Sequence, residues 1–363
     1  MTRRSFFQAA GGGAITLPQF EPRSTLRVKE TKVLRAKFPV IDVHTHVFGL
    51  GRKPDAAALR QIAAWMDECN LQTLINLTGG NSETLPAIKQ TIAPFGKKFV
   101  TGVEPVYRRA NDPGYPKWQA DELAKCKELG AVSLKILKSL GLGLRDRQGK
   151  LVRIDDPRFD PMWEAAGGLN LPVEIHTSDP APFFTPIDRF NERYEELQRH
   201  PEWSFYGKDF PKRDELLEAR NRVIARHPRT TFVGLHVANS PEDLERAGRW
   251  LDQYRNLQCE IGARLGELGR QPRTARRWFE RYQDRIMFGT DATPNAGVEY
   301  PQQDLRPEMY RAYFRFLETE DEYFDYAPSA IPPQGRWRIY GIALPDAILR
   351  KVYRENAIRT FRL

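Results

Sequence analysis

Two histidines one residue apart close an apolar, β-branched run, Val40-Ile41-Asp42-Val43-His44-Thr45-His46. Side chains two apart on a strand project from the same face, so both imidazoles leave the strand end in one direction. Neutral imidazole is the commonest side-chain ligand of zinc and similar divalent ions, and a rigid strand end presents two of them at little entropic cost. Taken alone, the pair reads better as two partly solvated histidines at a strand terminus. Three later segments change that balance. Leu171-Pro172-Val173-Glu174-Ile175-His176 breaks into Thr177-Ser178-Asp179-Pro180, Thr231-Phe232-Val233-Gly234-Leu235-His236 runs into Val237-Ala238-Asn239, and Arg285-Ile286-Met287-Phe288-Gly289-Thr290-Asp291 ends on a carboxylate. The chain has six histidines, and four of them end strand-like runs, a distribution that scattered core or surface use does not explain. The other two, His200 and His227, each precede a proline and read as structural residues at helix ends.

The elements that must position these groups follow from spacing. Strands are expected near 40–46, 72–77, 98–104, 131–137, 171–176, 230–236, 256–261 and 285–291, with amphipathic helices over Ala56–Cys69, Trp118–Leu129, Pro161–Leu169, Arg213–Arg226, Pro241–Tyr254 and Arg273–Tyr282. Eight strands alternating with helices over roughly 250 residues is the size of an α/β (β/α)8 TIM barrel, whose active sites lie where the C-terminal strand ends meet. An open doubly wound sheet would scatter the first, fifth, sixth and eighth strands; only closure gathers them.

At this point the sequence resembles the amidohydrolase superfamily, in the amidohydrolase-related branch that also holds single-metal decarboxylases similar to aminocarboxymuconate semialdehyde decarboxylase. The resemblance runs from about Pro39 to the C-terminus. It rests on Asp42-Val43-His44-Thr45-His46, the two later strand-end histidines, Phe288-Gly289-Thr290-Asp291 and the ending Val352-Tyr353-Arg354-Glu355-Asn356-Ala357-Ile358-Arg359-Thr360-Phe361. It implies that His44, His46, His176 and Asp291 ligate one divalent ion, with zinc expected, and that His236 activates water or shuttles a proton, with Asp291 sharing the proton chemistry. A competing assignment makes His236 a ligand of a second ion, bridged to the first by a carboxylated Lys135.

Lys135 carries three readings: that bridge, a cation gripping an acidic substrate, or a strand lysine snorkelling at the barrel rim. An inward lysine is costly to bury unpaired, which favours a functional role, and substrate binding is preferred because the branch mostly carries one metal. Lys138 reads as solvated. Arg264, just after the seventh strand, is equally a carboxylate-binding residue and a surface arginine.

Two reaction classes share this ligand set. The first is hydrolysis of an amide, ester or lactone of a small acidic substrate by metal-activated water; the alternative is non-oxidative decarboxylation of an aromatic or unsaturated acid. A non-catalytic binding protein is disfavoured because all five expected polar positions are filled.

Composition bounds the rest. The 363 residues suit one large core, with 1–38 a lead-in and 39–363 a single barrel domain. A net charge of +9 is spread along helices rich in acids, with no recognisable nucleic-acid module, so a nucleic-acid partner is not expected. The expected partners are a small-molecule substrate and a second copy of the chain. Cys69, Cys126 and Cys259 imply buried thiols rather than a disulfide framework. Thr2-Arg3-Arg4-Ser5-Phe6-Phe7-Gln8 with the short apolar stretch Ala9–Leu17 resembles a twin-arginine export signal, implying the periplasm, with the cytoplasm the alternative and no stable membrane span. The long insertion after strand five, Pro180 to Pro211, is expected to lid the metal cleft, with Phe183 and Phe184 nearest the substrate. The acidic, aromatic stretch Glu318–Tyr326 reads as a solvated connection before a helical C-terminal extension.

Overall fold

The computed structural model describes residues 23–49, 53–207, 209–297, 300–329 and 332–363. The export-signal expectation lies outside them. Among the described residues eight strands appear at the expected places, all but β2 shorter than expected: β1 (Val40–Thr45), β2 (Leu71–Asn76), β3 (Phe99–Thr101), β4 (Leu134–Ile136), β5 (Val173–Ile175), β6 (Phe232–Gly234), β7 (Leu257–Glu260) and β8 (Ile286–Met287). All pairings are parallel, in the orders β1-β2-β3 and β4-β5-β6-β7-β8. Isolated parallel bridges join the two sheets on both sides, Val103 to Leu134 and Thr45 to Ala292. Main-chain bonds from Val43 N to Phe288 O, Asp291 N to His44 O and His46 N to Ala292 O complete the seam between β8 and β1. The ring is therefore closed, as the histidine positions required.

The helices Ala56–Cys69 and Arg213–Arg226 span the residues expected, and the others lie within three residues of expectation at each end. Asp55 caps the first of them, accepting from Ala58 N at 2.8 Å, and Asn70 in the left-handed region ends it. Apolar faces of the helices pack on the outside of the barrel, while Ile41, Val43, Ile75, Leu77, Val233, Leu235 and Met287 fill its interior with Ala357 and Phe361. At the mouth the interior turns polar.

One expectation holds only in part. Along Glu318–Tyr326, Glu320, Glu322, Tyr323 and Asp325 are exposed, but Phe324 and Tyr326 lie in the core, and buried Asp321 takes hydrogen bonds from Thr31 and from Arg315. Asp321 looked like part of a surface run because its partners, one of them 290 positions away, are invisible to local composition. All three cysteines are free and buried. Among the described residues no helix is long and apolar enough to cross a membrane.

Candidate metal centre

His44 and His46 leave the end of β1 and meet Asp291, which follows β8. Their Nε2 atoms each lie 3.1 Å from Asp291 Oδ1. His44, His236 and Asp291 offer ligand atoms that all fall within 4.8 Å of one another. The rings of His44 and His236 are 4.9 Å apart, and those of His236 and His176 4.4 Å. His176 Nε2 faces Asp179 Oδ1 at 3.4 Å. Four strand ends thus deliver four histidines and a carboxylate to one buried locus, but with a difference from expectation: His236 belongs to the tightest group, whereas His176 leans toward Asp179.

The hydrogen bonds fix which nitrogen of each ring is free. His44 Nδ1 faces the acceptor Glu260 Oε1 at 3.2 Å, so it carries the hydrogen and Nε2 faces Asp291. His236 Nδ1 faces Gly262 O at 2.8 Å, with the same consequence, and its Nε2 is buried without a hydrogen-bond partner. His46 Nδ1 meets Thr78 Oγ1 at 3.2 Å; that hydroxyl donates to Phe48 O, so here it accepts and Nε2 is again free. Ligand atoms of His44, His236 and the Asp291 carboxylate within 4.8 Å of one another, and His46 Nε2 against the same carboxylate, suit a divalent cation.

The charge balance agrees. Burial and Lys135 work to strip the proton from His44, but Asp291 and Glu260 outweigh them and raise its pKa to about 9. A cation held there takes that proton's role. Burial pushes His46 and His176 down to about 4, and His236 well below its ordinary value. Asp291 stays far below the carboxylate range despite burial, held by His44 and His46, and Gln303 Nε2 donates to its Oδ2 at 2.5 Å.

Lys135 on β4 is buried, with Nζ 3.4 Å from His44 Nε2, so the rim-snorkelling reading is excluded. Burial lowers its pKa against the pull of Asp291, Glu174 and Glu260. Arg264 is not a surface residue: only 6% exposed, it donates from Nη1 to Ala263 O at 2.7 Å, and its buried Nε has no partner. Lys138, expected to be solvated, pairs with Asp179 Oδ2 at 2.5 Å.

The sequence model of the family described as Amidohydrolase matches residues 104–363. The chain belongs to this family. The match begins after β3, so the β1 histidine pair lies upstream of it. Solved structures share the fold of this chain: 2,6-dihydroxybenzoate decarboxylase from Rhizobium (16% identity, 90% of this chain and 99% of that one, TM-score 0.55), 5-carboxyvanillate decarboxylase from Sphingomonas paucimobilis (15%, 90% and 100%, 0.52) and a dihydroxybenzoic acid decarboxylase from Polaromonas sp. solved with manganese and 2-nitroresorcinol (16%, 90% and 97%, 0.54). No curated protein matches the chain.

The insertion after β5 reaches the loops that follow β7 and β8. Buried Arg193 donates to Glu196 at 2.8 Å and bonds Glu267, which follows β7. Glu192 pairs with Arg270 at 2.9 Å. Farther along, His200 stacks on Trp203 with centroids 4.1 Å apart, and Tyr300 Oη, from the loop after β8, lies 3.2 Å from His200 Nε2. His200 and His227 do sit at helix ends, but His200 also joins the insertion to the β8 loop. The aromatics of the insertion pack among themselves and on its neighbours. Phe183 is buried in the insertion, Phe184 packs on Phe205 at 5.3 Å, and it is Phe205 that lies 5.4 Å beneath Lys138 Nζ.

Sequence reasoning passed over Glu260. Its carboxylate receives His236 N at 2.5 Å and Gly262 N, besides facing His44. Gly262 and Gly289 make room for it: a Cβ at either would stand 2.6 or 2.2 Å from Glu260 Oε2. The signal was present in Glu260-Ile261-Gly262 and Phe288-Gly289-Thr290, where bare backbone at a strand end marks close approach. Asp42, on β1, performs a parallel task, taking Thr290 Oγ1 at 2.5 Å and Tyr310 Oη at 2.9 Å and so bracing the turn to Asp291.

Proposed function

We propose that this protein is a metal-dependent, non-oxidative decarboxylase of an aromatic or unsaturated carboxylic acid. The observation that carries the reading is the cluster of His44, His46, His176, His236 and Asp291 at the strand ends, with two buried cations, Lys135 and Arg264, beside it. The decarboxylases that share the fold support it further, and the one solved with manganese makes that ion the first to test beside zinc. His44, His46, His176 and Asp291 are the proposed ligands. When bound, the divalent ion supplies Lewis-acid polarisation of substrate oxygen.

The chain's own residues do the rest. Lys135 and Arg264 hold the carboxylate and a ring oxygen, because a buried guanidinium with a free Nε and a buried ammonium both lack full partners until an anion arrives. The insertion, with Phe205 leading and Phe183 and Phe184 behind it, excludes water and favours a flat substrate body. Cleavage of the carbon–carboxylate bond leaves its electron pair on the ring carbon, and CO2 departs. His236, neutral and with Nδ1–H fixed on Gly262 O, offers Nε2 to carry a solvent proton to that carbon, with Asp291 as the adjoining acceptor.

The test is release of CO2 from a panel of hydroxybenzoic and unsaturated acids by protein loaded with manganese or zinc, run beside an ester, lactone and amide panel. CO2 release with no ester or lactone turnover is expected. Hydrolysis without CO2 release would overturn the reading in favour of a hydrolase.

A further inference from the structure

We infer that Asn239 and Arg220 are positioning residues for His236, holding a left-handed turn that aims its imidazole and ties it to the loop carrying His176. The inference deepens the proposed function, in that it takes His236 to be part of the reacting group.

After β6 the chain does not enter a normal helix. His236, Val237, Ala238 and Asn239 have φ of 57°, 59°, 50° and 57°, four consecutive non-glycine residues wound left-handed. L-residues avoid this conformation because Cβ crowds the following carbonyl, and even asparagine enters it singly as a rule. Such a run persists only where the surroundings over-determine it, and runs of this kind gather at functional sites. All four residues are buried. Gly234 permits the fold-back, since a Cβ there would stand 2.8 Å from Ala238 Cβ.

Each end of the turn is gripped. At its start Glu260 Oε1 takes His236 N, the same carboxylate that faces His44. At its end Arg220 Nη1 donates to Ala238 O and Arg213 Nη2 to Asn239 O, both at 2.6 Å. Arg220 is fully buried, lies 4.5 Å from the Trp250 ring and bonds Asn221 Oδ1, so its charge is directed at a carbonyl rather than spent on a carboxylate. The Asn239 side chain then crosses to the β5 loop: Oδ1 accepts from Thr177 N at 3.1 Å and Nδ2 donates to Ser178 O at 2.7 Å. Those are the two residues after His176. One amide therefore locks the loops of two histidines together. Winding the same residues right-handed would reverse the lean of their Cα–Cβ bonds and forfeit the His236 Nδ1 bond to Gly262 O.

The decisive variant is Asn239→Gly, which tolerates positive φ and removes only the two side-chain bonds. In zinc-loaded full-length protein labelled with 15N-histidine, the His236 ring, identified by its loss in His236→Asn, should show a single Nδ1–H tautomer in the wild type. In Asn239→Gly it should show averaged or displaced ring signals, with metal content unchanged and kcat lower by about 10- to 100-fold at similar KM. An unmoved His236 spectrum in a folded Asn239→Gly protein would overturn the inference. If that variant does not fold, Arg220→Met and Arg220→Lys decide: displacement in Met with recovery in Lys supports the inference, and no displacement in Met refutes it. The ring spectrum needs no substrate, so a failed decarboxylase assay and a failed positioning role give different results.

Discussion

Replacing Arg193 by Met tests whether the insertion is strapped across the barrel mouth by a buried ion cluster. Arg193 is 1% exposed, bonds Glu196 and Glu267, and lies 5.2 Å from the Trp337 ring. Glu267 is equally buried, and its second oxygen has no partner. Burial works to raise the pKa of Glu267, but Arg193, with Arg264 and Arg270, keeps it below its ordinary value. Removing the guanidinium strands that carboxylate, a loss of about 3–5 kcal/mol by analogy with broken buried pairs. Unfolding entropy of ~2.1 cal/mol/K per residue over 363 residues gives about 0.76 kcal/mol per kelvin, so Tm should fall by about 4–7 °C. Because the Glu267 pKa is depressed in the fold, its contribution is present above the unfolded value of 4.5 and lost as pH falls through the folded one, so the deficit should shrink in acid. Calorimetry on Arg193→Met, Glu267→Gln and the double variant should give a coupling of about 1–3 kcal/mol, with the double variant recovering part of the loss. Limited proteolysis of Arg193→Met should cut first within 180–211. A Tm within a degree of wild type, with the insertion still protected, would refute the strap.

Other outcomes follow from the ligand group. His44→Ala and Asp291→Asn should lose bound metal, and metal analysis of the wild type should find one ion per chain; two would revive the carboxylated Lys135 bridge. His236→Asn should lower kcat by ~10²–10⁴ while keeping metal, and a parallel loss of metal and activity would make it a ligand, as its membership of the tight group allows. Gly289→Ala, which drives a Cβ into Glu260, should weaken metal affinity by ~10–100-fold with the fold intact by circular dichroism. Since His44 keeps its proton up to about 9 in the metal-free chain, an incoming cation must displace it: affinity should rise about tenfold per pH unit from 6.5 to 9, and calorimetry in buffers of different ionisation heat should record at least one proton released. No proton release would contradict that assignment.

The strands and the convergence of the residues that end them were legible because each is a local signal repeated: an apolar run, then a histidine or aspartate, at intervals that only a closed barrel reconciles. What stayed hidden has no local signature. Asp179 reads as a turn residue in Ser178-Asp179-Pro180, yet it bridges His176 and Lys138 because two loops converge. Arg264 and Arg193 look like members of a basic surface, and only the crossing of the insertion over the β7 loop buries them. The left-handed turn is the sharpest case. His236-Val237-Ala238-Asn239 contains a β-branched residue and no glycine, so propensity argues against positive φ throughout. Tertiary bonds from Glu260, Arg220 and Arg213 override it.

Lys135 links the metal question to the substrate question. Its ammonium is 3.4 Å from His44 Nε2, so any cation held by His44 lies beside it, and two like charges in a buried site raise each other's cost. Asp291, Glu260 and Glu174 offset part of that, but burial has pushed Glu174 itself up to about 8, leaving it largely protonated at neutral pH. The site is therefore short of negative charge once a dication is bound. A substrate carboxylate supplies it, pairing with the Lys135 ammonium and strengthening the hold of the ligands at the same time. Metal affinity and anion affinity should accordingly rise together, and the coupling should weaken in Lys135→Met, where no ammonium competes with the ion and only the direct attraction between ion and anion remains.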